Sequence, residues 1–255
     1  MTQRLAGKTA LITGSTSNIG RSIARVFAAE GAHVVVSGRD AARGEAVVSG
    51  IRDKGGRAEF VRADLDGSSA ASRELASAAL GVLGGRLDIL VNNAGIFPGD
   101  TTLATDEETF DRVYAVNVKA PFFLTQALVP ALAEGGGSIV NLGSWVARLG
   151  IPIGALYSST KGAVETLTRA WAAEFAPLGV RVNAVSPGVI RPPDLAPDID
   201  YPGEVMTAGT PAGHTGHPDA IAHAALYLAS DEASFVYGTV LDVDGGRVGA
   251  AVIAS

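Results

Sequence analysis

Seven short apolar runs, rich in Val, Ile and Leu, recur along the chain with helix-length segments between most of them. They are TALIT (9–13), AHVVVS (32–37), AEFVRA (58–63), LDILVN (87–92), GSIVNL (137–142), VRVNAV (180–185) and TVLDV (239–243). Runs this short and continuously apolar fit strands that are covered on both faces. Apolar residues at helical spacing predict helices over 19–30, 41–54, 68–83, 110–133, 159–175 and 218–228. Alternating strands and helices give a sheet whose crossovers carry the helices. The expected fold class is α/β: a doubly wound, mostly parallel, Rossmann-like sheet of about seven strands with helices on both faces. With 47% hydrophobic and 18% charged residues, the 255 positions suit one compact core, so residues 1–255 are expected to form a single domain.

Composition narrows the function classes. The 26 acidic residues outnumber the 20 basic ones and no basic run occurs, which leaves no electrostatic case for nucleic acid or an anionic membrane as partner. The chain has no Cys, and its four His (His33, His214, His217, His223) show no HExxH-type spacing, so no disulfide and no metal site is expected. The first residues run into an apparent strand, and no apolar run approaches the ~18 residues of a membrane span; a cytoplasmic location is expected. Residues Val189–His217 break the rhythm with five prolines (Pro192, Pro193, Pro197, Pro202, Pro211). So long an irregular stretch reads as a substrate-binding loop or as a disordered surface loop.

Two local patterns carry chemistry. In YSSTK, Tyr157 and Lys161 lie four residues apart and share one helix face. A cation ~5 Å from the phenol, at an effective dielectric of about 20, favours the phenolate by roughly 3 kcal/mol, or about two pKa units. On that reckoning Tyr157 exchanges a proton near neutrality. After the first strand, TGSTSNIG (13–20) leads into a helix, where free N–H groups and the positive dipole end can hold a pyrophosphate. A tight turn without a ligand is the other reading. Asn18 tolerates a positive φ there, or its side chain caps the helix.

Set in order, TGSTSNIG, Asp64 after the third strand, NNAG (92–95), Asn117 in VNVK, Ser144 in NLGS, YSSTK, SPG (186–188) and VDGG (243–246) run through nearly the whole chain. Together they resemble the short-chain dehydrogenase/reductase family, with Asn18 standing where the family's middle glycine is usual. The resemblance implies an NAD(P)-dependent enzyme that transfers a hydride between a nicotinamide cofactor and a carbonyl or secondary alcohol. It implies Tyr157 as general acid, Lys161 as the group that tunes it and holds the nicotinamide ribose, Ser144 as hydrogen-bond donor to the substrate oxygen, and Asn117 as anchor of a water. The cofactor residues it implies are Gly14, Ser15, Ser17, Asn18, Ile19 and Gly20 in the turn, Ser37 and Arg39 at the second strand, and Asp64 and Leu65. To these it adds Asn93, Ala94 and Gly95, Tyr157 and Lys161, and Pro187, Gly188 and Val189. Asn92 is expected to tie neighbouring strands. An acid at a helix N-terminus is the other account of Asp64.

On the substrate side the resemblance implies Phe97, Ser144, Trp145 and Tyr157, a largely apolar surrounding. Pro192 stands where many relatives have a Thr for the nicotinamide carboxamide. Arg148 and Arg191 meet an anionic group on the substrate or are surface residues. A ketone reductase is the expected activity; the alternative is a non-catalytic NAD(P)-binding sensor or regulatory protein. The position of the ribose-binding acid falls on Gly38, followed by Arg39, so NADP is the expected cofactor. NAD is the alternative if Asp40 turns to the ribose instead of capping the next helix. Relatives bury helices like those near Asn117 and after Tyr157 across two-fold axes, which implies a homotetramer, with a dimer next.

Overall fold

The computed structural model describes residues 3–152, 154–196 and 198–252. The strands are β1 (Thr9–Ile12), β2 (His33–Gly38), β3 (Arg57–Arg62), β4 (Ile89–Asn92), β5 (Ser138–Leu142), β6 (Arg181–Pro187) and β7 (Val240–Val243). They form one sheet in the order β3-β2-β1-β4-β5-β6-β7, every pair parallel. The chain reverses its direction of travel between β1 and β4, and a doubly wound sheet opens its ligand crevice at the carboxyl ends of such a pair.

Helices α1 (Asn18–Ala29), α2 (Ala41–Arg52) and α7 (Pro218–Ala229) cover one face, with Ile23, Phe27, Val48 and Ile221 packed on Val34, Val36 and Val140. Helices α3 (Ser69–Val82), α5 (Ala120–Ala133) and α6 (Ala155–Phe175) cover the other, where Leu75, Leu124, Leu128 and Trp171 meet Leu11, Val35, Leu90 and Ile139. Alternate residues of each strand therefore feed opposite cores, which is why the runs read as continuously apolar.

The helix expected over 110–133 is corrected. It begins earlier as α4 (Glu107–Tyr114), because Asp106 caps it by accepting from Thr109 N at 2.7 Å and the first turn is acidic. A π-helical turn, Ala115–Lys119, then joins α4 to α5. Pro121 has no N–H to return to residue 117, so the backbone carbonyl of Asn117 is released from the α-helical ladder. The whole stretch Glu107–Ala133 reaches a mean hydropathy of 1.2 over 18 residues, yet only 39% of that window is buried. Helix α6 starts at Ala155 instead of 159, after Gly154 at φ 72°, which puts Tyr157 in its first turn. The proline-rich stretch contains a 3₁₀ turn (Pro202–Thr207), and its ends are joined by a bridge between Ile190 and Gly216. Pro197 lies outside the described residues.

Candidate active site

The turn after β1 is built to let backbone come close. Gly14 has φ 61°, and a Cβ there would lie 2.9 Å from Ala94 Cα; at Gly20 a Cβ would lie 2.4 Å from the Gly14 oxygen. Only glycine closes this turn against the neighbouring strand end. Asn18 has φ 42°, the one positive φ of a non-glycine among the described residues, as its choice over other side chains leads one to expect. Its side chain does not cap α1: Ser17 is the N-cap and makes no side-chain capping bond. The first N–H groups of α1 are thus left facing the cleft, a donor set suited to an anion such as a dinucleotide pyrophosphate.

That cleft has a volume of about 1010 Å³, and Gly14, Ser17, Asn18, Ile19 and Gly20 line it together with Ser37, Arg39, Asp64, Leu65, Asn93–Gly95 and Tyr157. Its size and its glycine-walled, donor-rich end fit a nicotinamide dinucleotide. The walls are stitched: Asn93 Nδ2 donates to the carbonyls of Thr13 (2.8 Å) and Gly14 (3.0 Å), while Thr13 Oγ1 accepts from the N–H groups of Asn93 and Ala94. Asn92 Nδ2 donates to Asn141 Oδ1 at 2.9 Å and so ties β4 to β5.

The Ser15 side chain is a correction. It is fully buried, donating from Oγ to the Ile12 carbonyl (2.7 Å) and accepting from Ser37 N (2.9 Å), so it braces β1 against β2 instead of facing the cofactor. Thr16, which the family pattern did not single out, lines the cleft instead, as does Arg43. Asp40 caps α2, accepting from Arg43 N (3.0 Å) and Arg43 Nε (2.6 Å), which holds its carboxyl below the usual range. Arg39 Nε lies 4.0 Å from Asp64 across the mouth of the cleft.

Asn117, Ser144, Tyr157 and Lys161 converge from the π turn, the end of β5 and the first turns of α6. Asn117 Nδ2 donates to the Ile96 carbonyl (3.0 Å) and Thr160 Oγ1 (3.2 Å), and Oδ1 accepts from Ile96 N (2.8 Å). Its side chain is committed to holding the cofactor wall. Lys161 is 5% exposed; Nζ donates to the Leu142 carbonyl at 2.7 Å and lies 5.4 Å from the Tyr157 ring centroid.

The expected lowering of the Tyr157 pKa is reversed. Burial pushes the phenol up to about 12, opposed in part by the polar Ser144 side chain, and burial alone pulls Lys161 down to about 8. The sequence argument weighed only the attraction between ammonium and phenolate. Here the cation is itself desolvated and lies across the ring, so loss of water outweighs the attraction.

Arg148 and Arg191 are likewise committed within the fold. Arg148 binds both oxygens of Asp242, donates to Ser186 Oγ (3.1 Å) and lies 3.4 Å from the buried Glu165, tying the Ser144–Leu149 segment to α6 and to the two last strands. Arg191 binds Glu204 (2.7 Å) and the carbonyls of Ala196 and Ile199, bracing the proline-rich loop from inside. A second cavity of about 430 Å³ is lined by the apolar Trp145, Val189, Ile190 and Met206 on one side and by the polar His214, Asp242, Asp244 and Arg247 on the other. Pro187 is buried at the end of β6 and does not line either space. On the other side of Tyr157, the half-exposed Phe97 packs with ring centroids 4.9 Å apart.

Comparison with known proteins agrees with this geometry. A family model described as enoyl-(acyl carrier protein) reductase matches residues 14–247. An uncharacterized oxidoreductase of Thermotoga maritima is 39% identical over 249 residues, covering 94% of this chain and 97% of that one. Cyclopentanol dehydrogenase of Comamonas is 36% identical over 250 residues, covering 95% and 98%. Among solved structures, a short-chain dehydrogenase/reductase family protein is 45% identical with a TM-score of 0.86, covering 97% of this chain and all of that one. A protein assigned as an NAD(P)-dependent gluconate 5-dehydrogenase of Beutenbergia cavernae, crystallised with NADP at low occupancy, is 38% identical with a TM-score of 0.89, covering 98% and 100%. With a family model over most of its length and relatives that cover 94% or more of it, the chain belongs to the short-chain dehydrogenase/reductase family and is an NAD(P)-dependent oxidoreductase.

Proposed function

We propose that the protein is a reductase of apolar, cyclic or bulky ketones, working in reverse on the matching secondary alcohols, with NADP(H) as its cofactor. The observation that carries this reading is the convergence of Ser144, just past the end of β5, Tyr157 in the first turn of α6 and Lys161 one turn on, its Nζ 5.4 Å from the Tyr157 ring, at the carboxyl edge of the sheet. When bound, the nicotinamide supplies the hydride. Charge that builds on the carbonyl oxygen is met by the Ser144 hydroxyl, and the Tyr157 O–H gives up its proton to that oxygen. Lys161 stabilises the phenolate left behind, and Asn117 holds the wall and the water behind Lys161. The loop 189–217 and the rings of Phe97 and Trp145 exclude solvent from the substrate side.

The apolar side of the cavity, with Trp145, Ile190 and Met206, favours a hydrophobic substrate, and two relatives are named for cyclic alcohols: cyclopentanol dehydrogenase and 2,5-dichloro-2,5-cyclohexadiene-1,4-diol dehydrogenase. Oxidation of NADPH and NADH should be followed with cyclic ketones, keto-esters and quinones, and the reverse with secondary alcohols. Turnover with cyclic ketones is expected. Tight cofactor binding with no turnover on any of them would leave the sensor reading in its place.

Support for NADP is local. No acid stands at Gly38, Asp40 is turned into its helix, and the Arg39 guanidinium is at the cleft mouth with only a 4.0 Å contact to Asp64 to break. Arg39→Ala is expected to weaken NADP binding ~10-fold and NAD binding far less, since a charge-assisted pair with phosphate is worth roughly 1.5–3 kcal/mol. Equal losses for the two cofactors would remove Arg39 from the 2′-phosphate.

A homotetramer is the proposed assembly. Two separate apolar patches remain exposed: Phe110, stacked on Tyr114, with Phe122 against Trp171 on the α4–α6 side, and Phe235 (98% exposed) with Tyr237 beside the edge strand β7. Two patches on different faces suit two different two-fold axes. Light scattering should give a mass near four chains of 25.9 kDa; a single-chain mass at micromolar concentration would refute it.

A further inference from the structure

Gly38 is at the end of β2, where the choice between NAD and NADP is made in the reading above, and it is not glycine for conformational reasons. It is absent from the residues with positive φ, so its backbone is open to any side chain. What a side chain there meets is the Thr16 side chain. A Cβ at position 38 would lie 2.7 Å from Thr16 Cγ2, well inside the 3.5–4.0 Å at which carbon atoms rest against each other, and a tight 3.1 Å from Thr16 Oγ1.

The clash does not go away by rotation. Three staggered positions surround the Thr16 Cβ, and two of them, both near residue 38, are filled by heavy atoms. Turning χ1 by a third of a circle can empty the closer position or the farther one, never both, because threonine has two branches and one hydrogen. Serine, with a single branch, can turn its hydroxyl to the third position and clear both. Valine, branched like threonine, cannot.

We infer that Thr16 is a specificity-determining residue for the cofactor: its β-branch keeps position 38 free of any side chain and so excludes the ribose-binding carboxylate that would favour NAD. Thr16, Ser37, Gly38, Arg39 and Arg43 line the same end of the cleft, so the residue that guards position 38 and the cations beside it act on one group, the 2′ substituent of the adenosine ribose. The inference rests on the NADP reading for its biological sense, while the steric coupling between residues 16 and 38 stands apart from it. A single Gly38→Asp change is accordingly expected to disrupt the turn instead of converting the cofactor preference.

The test is calorimetric titration of NAD and NADP into four proteins: wild type, Gly38→Asp, Thr16→Ser/Gly38→Asp and Thr16→Val/Gly38→Asp. Gly38→Asp alone is expected to bind both cofactors more weakly than wild type. Adding Thr16→Ser should tighten NAD binding at least ~10-fold over Gly38→Asp, the scale of a relieved overpacking contact, and adding Thr16→Val should not. No gain from serine, or an equal gain from valine, would overturn the role of Thr16. Tighter binding of NAD than NADP by wild type would instead refute the NADP reading, and the serine–valine comparison, made with NAD alone, would still decide the coupling. If the aspartate variants do not fold, the cofactor-free melting temperature of Gly38→Ala should fall, recover with Thr16→Ser and stay low with Thr16→Val; equal values in all three would sink the inference.

Discussion

Tyr157→Phe is expected to lower turnover at least ~100-fold in both directions while changing cofactor affinity less than threefold or so. The substitution removes one oxygen and keeps the ring, and it is the ring that packs on Phe97 at 4.9 Å and lies beneath the Lys161 ammonium. The fold and the cleft wall therefore survive it. What is lost is the hydroxyl that the proposed mechanism uses as the proton donor. Burial holds the phenol up to about 12, so below that pH it is protonated and ready to give a proton to a reduced carbonyl oxygen. Single-turnover measurements with saturating cofactor would isolate the chemical step. A variant retaining a tenth or more of wild-type turnover would mean that water or Ser144 delivers the proton and that Tyr157 has been misassigned.

Seven strands, the parallel sheet and its two helical layers were readable in the chain because burial on both faces leaves runs that no solvated helix would carry. The residues of the glycine turn were readable only in part. Alternation within six residues decides whether Ser15 or Thr16 faces the cleft, and that depends on how the turn lies against Ser37 and Asn93, neither of which is near in sequence. The π turn escaped for a related reason. Periodicity over 110–133 is nearly satisfied by one long helix, and the clue was a single Pro121 whose missing N–H frees the Asn117 carbonyl. Arg148 and Arg191 looked like candidates for an anionic ligand because their partners, Asp242, Glu165 and Glu204, come from other parts of the chain.

The pKa of Tyr157 was misjudged on more general grounds. Helix spacing reports how close two charges come, whereas desolvation depends on everything else packed around them, and for this pair desolvation is the larger effect. The same observation makes Lys161 a liability to the folded state. Its ordinary value of 10.5 is drawn down to about 8 by burial, a difference of roughly 3 kcal/mol against keeping it charged at neutral pH.

Lys161→Met is therefore expected to cut turnover at least ~100-fold and yet not destabilise the protein at pH 7. Methionine fills most of the same volume without a charge to desolvate, which offsets the bond lost to the Leu142 carbonyl, worth about 1–3 kcal/mol if that oxygen is left alone. The pH dependence gives the sign. A lysine whose folded pKa is lowered contributes stability that is present above the unfolded value of 10.5 and is lost as pH falls through the folded value of about 8. Between pH 7 and pH 10 wild type should gain about 2 kcal/mol relative to Lys161→Met, whereas the raised pKa of Tyr157 acts on both proteins and largely cancels. Urea denaturation of the pair at the two pH values measures that difference. If the gap between them stays constant, Lys161 is charged in the folded state throughout, and its ammonium is paid for by contacts other than the Leu142 carbonyl.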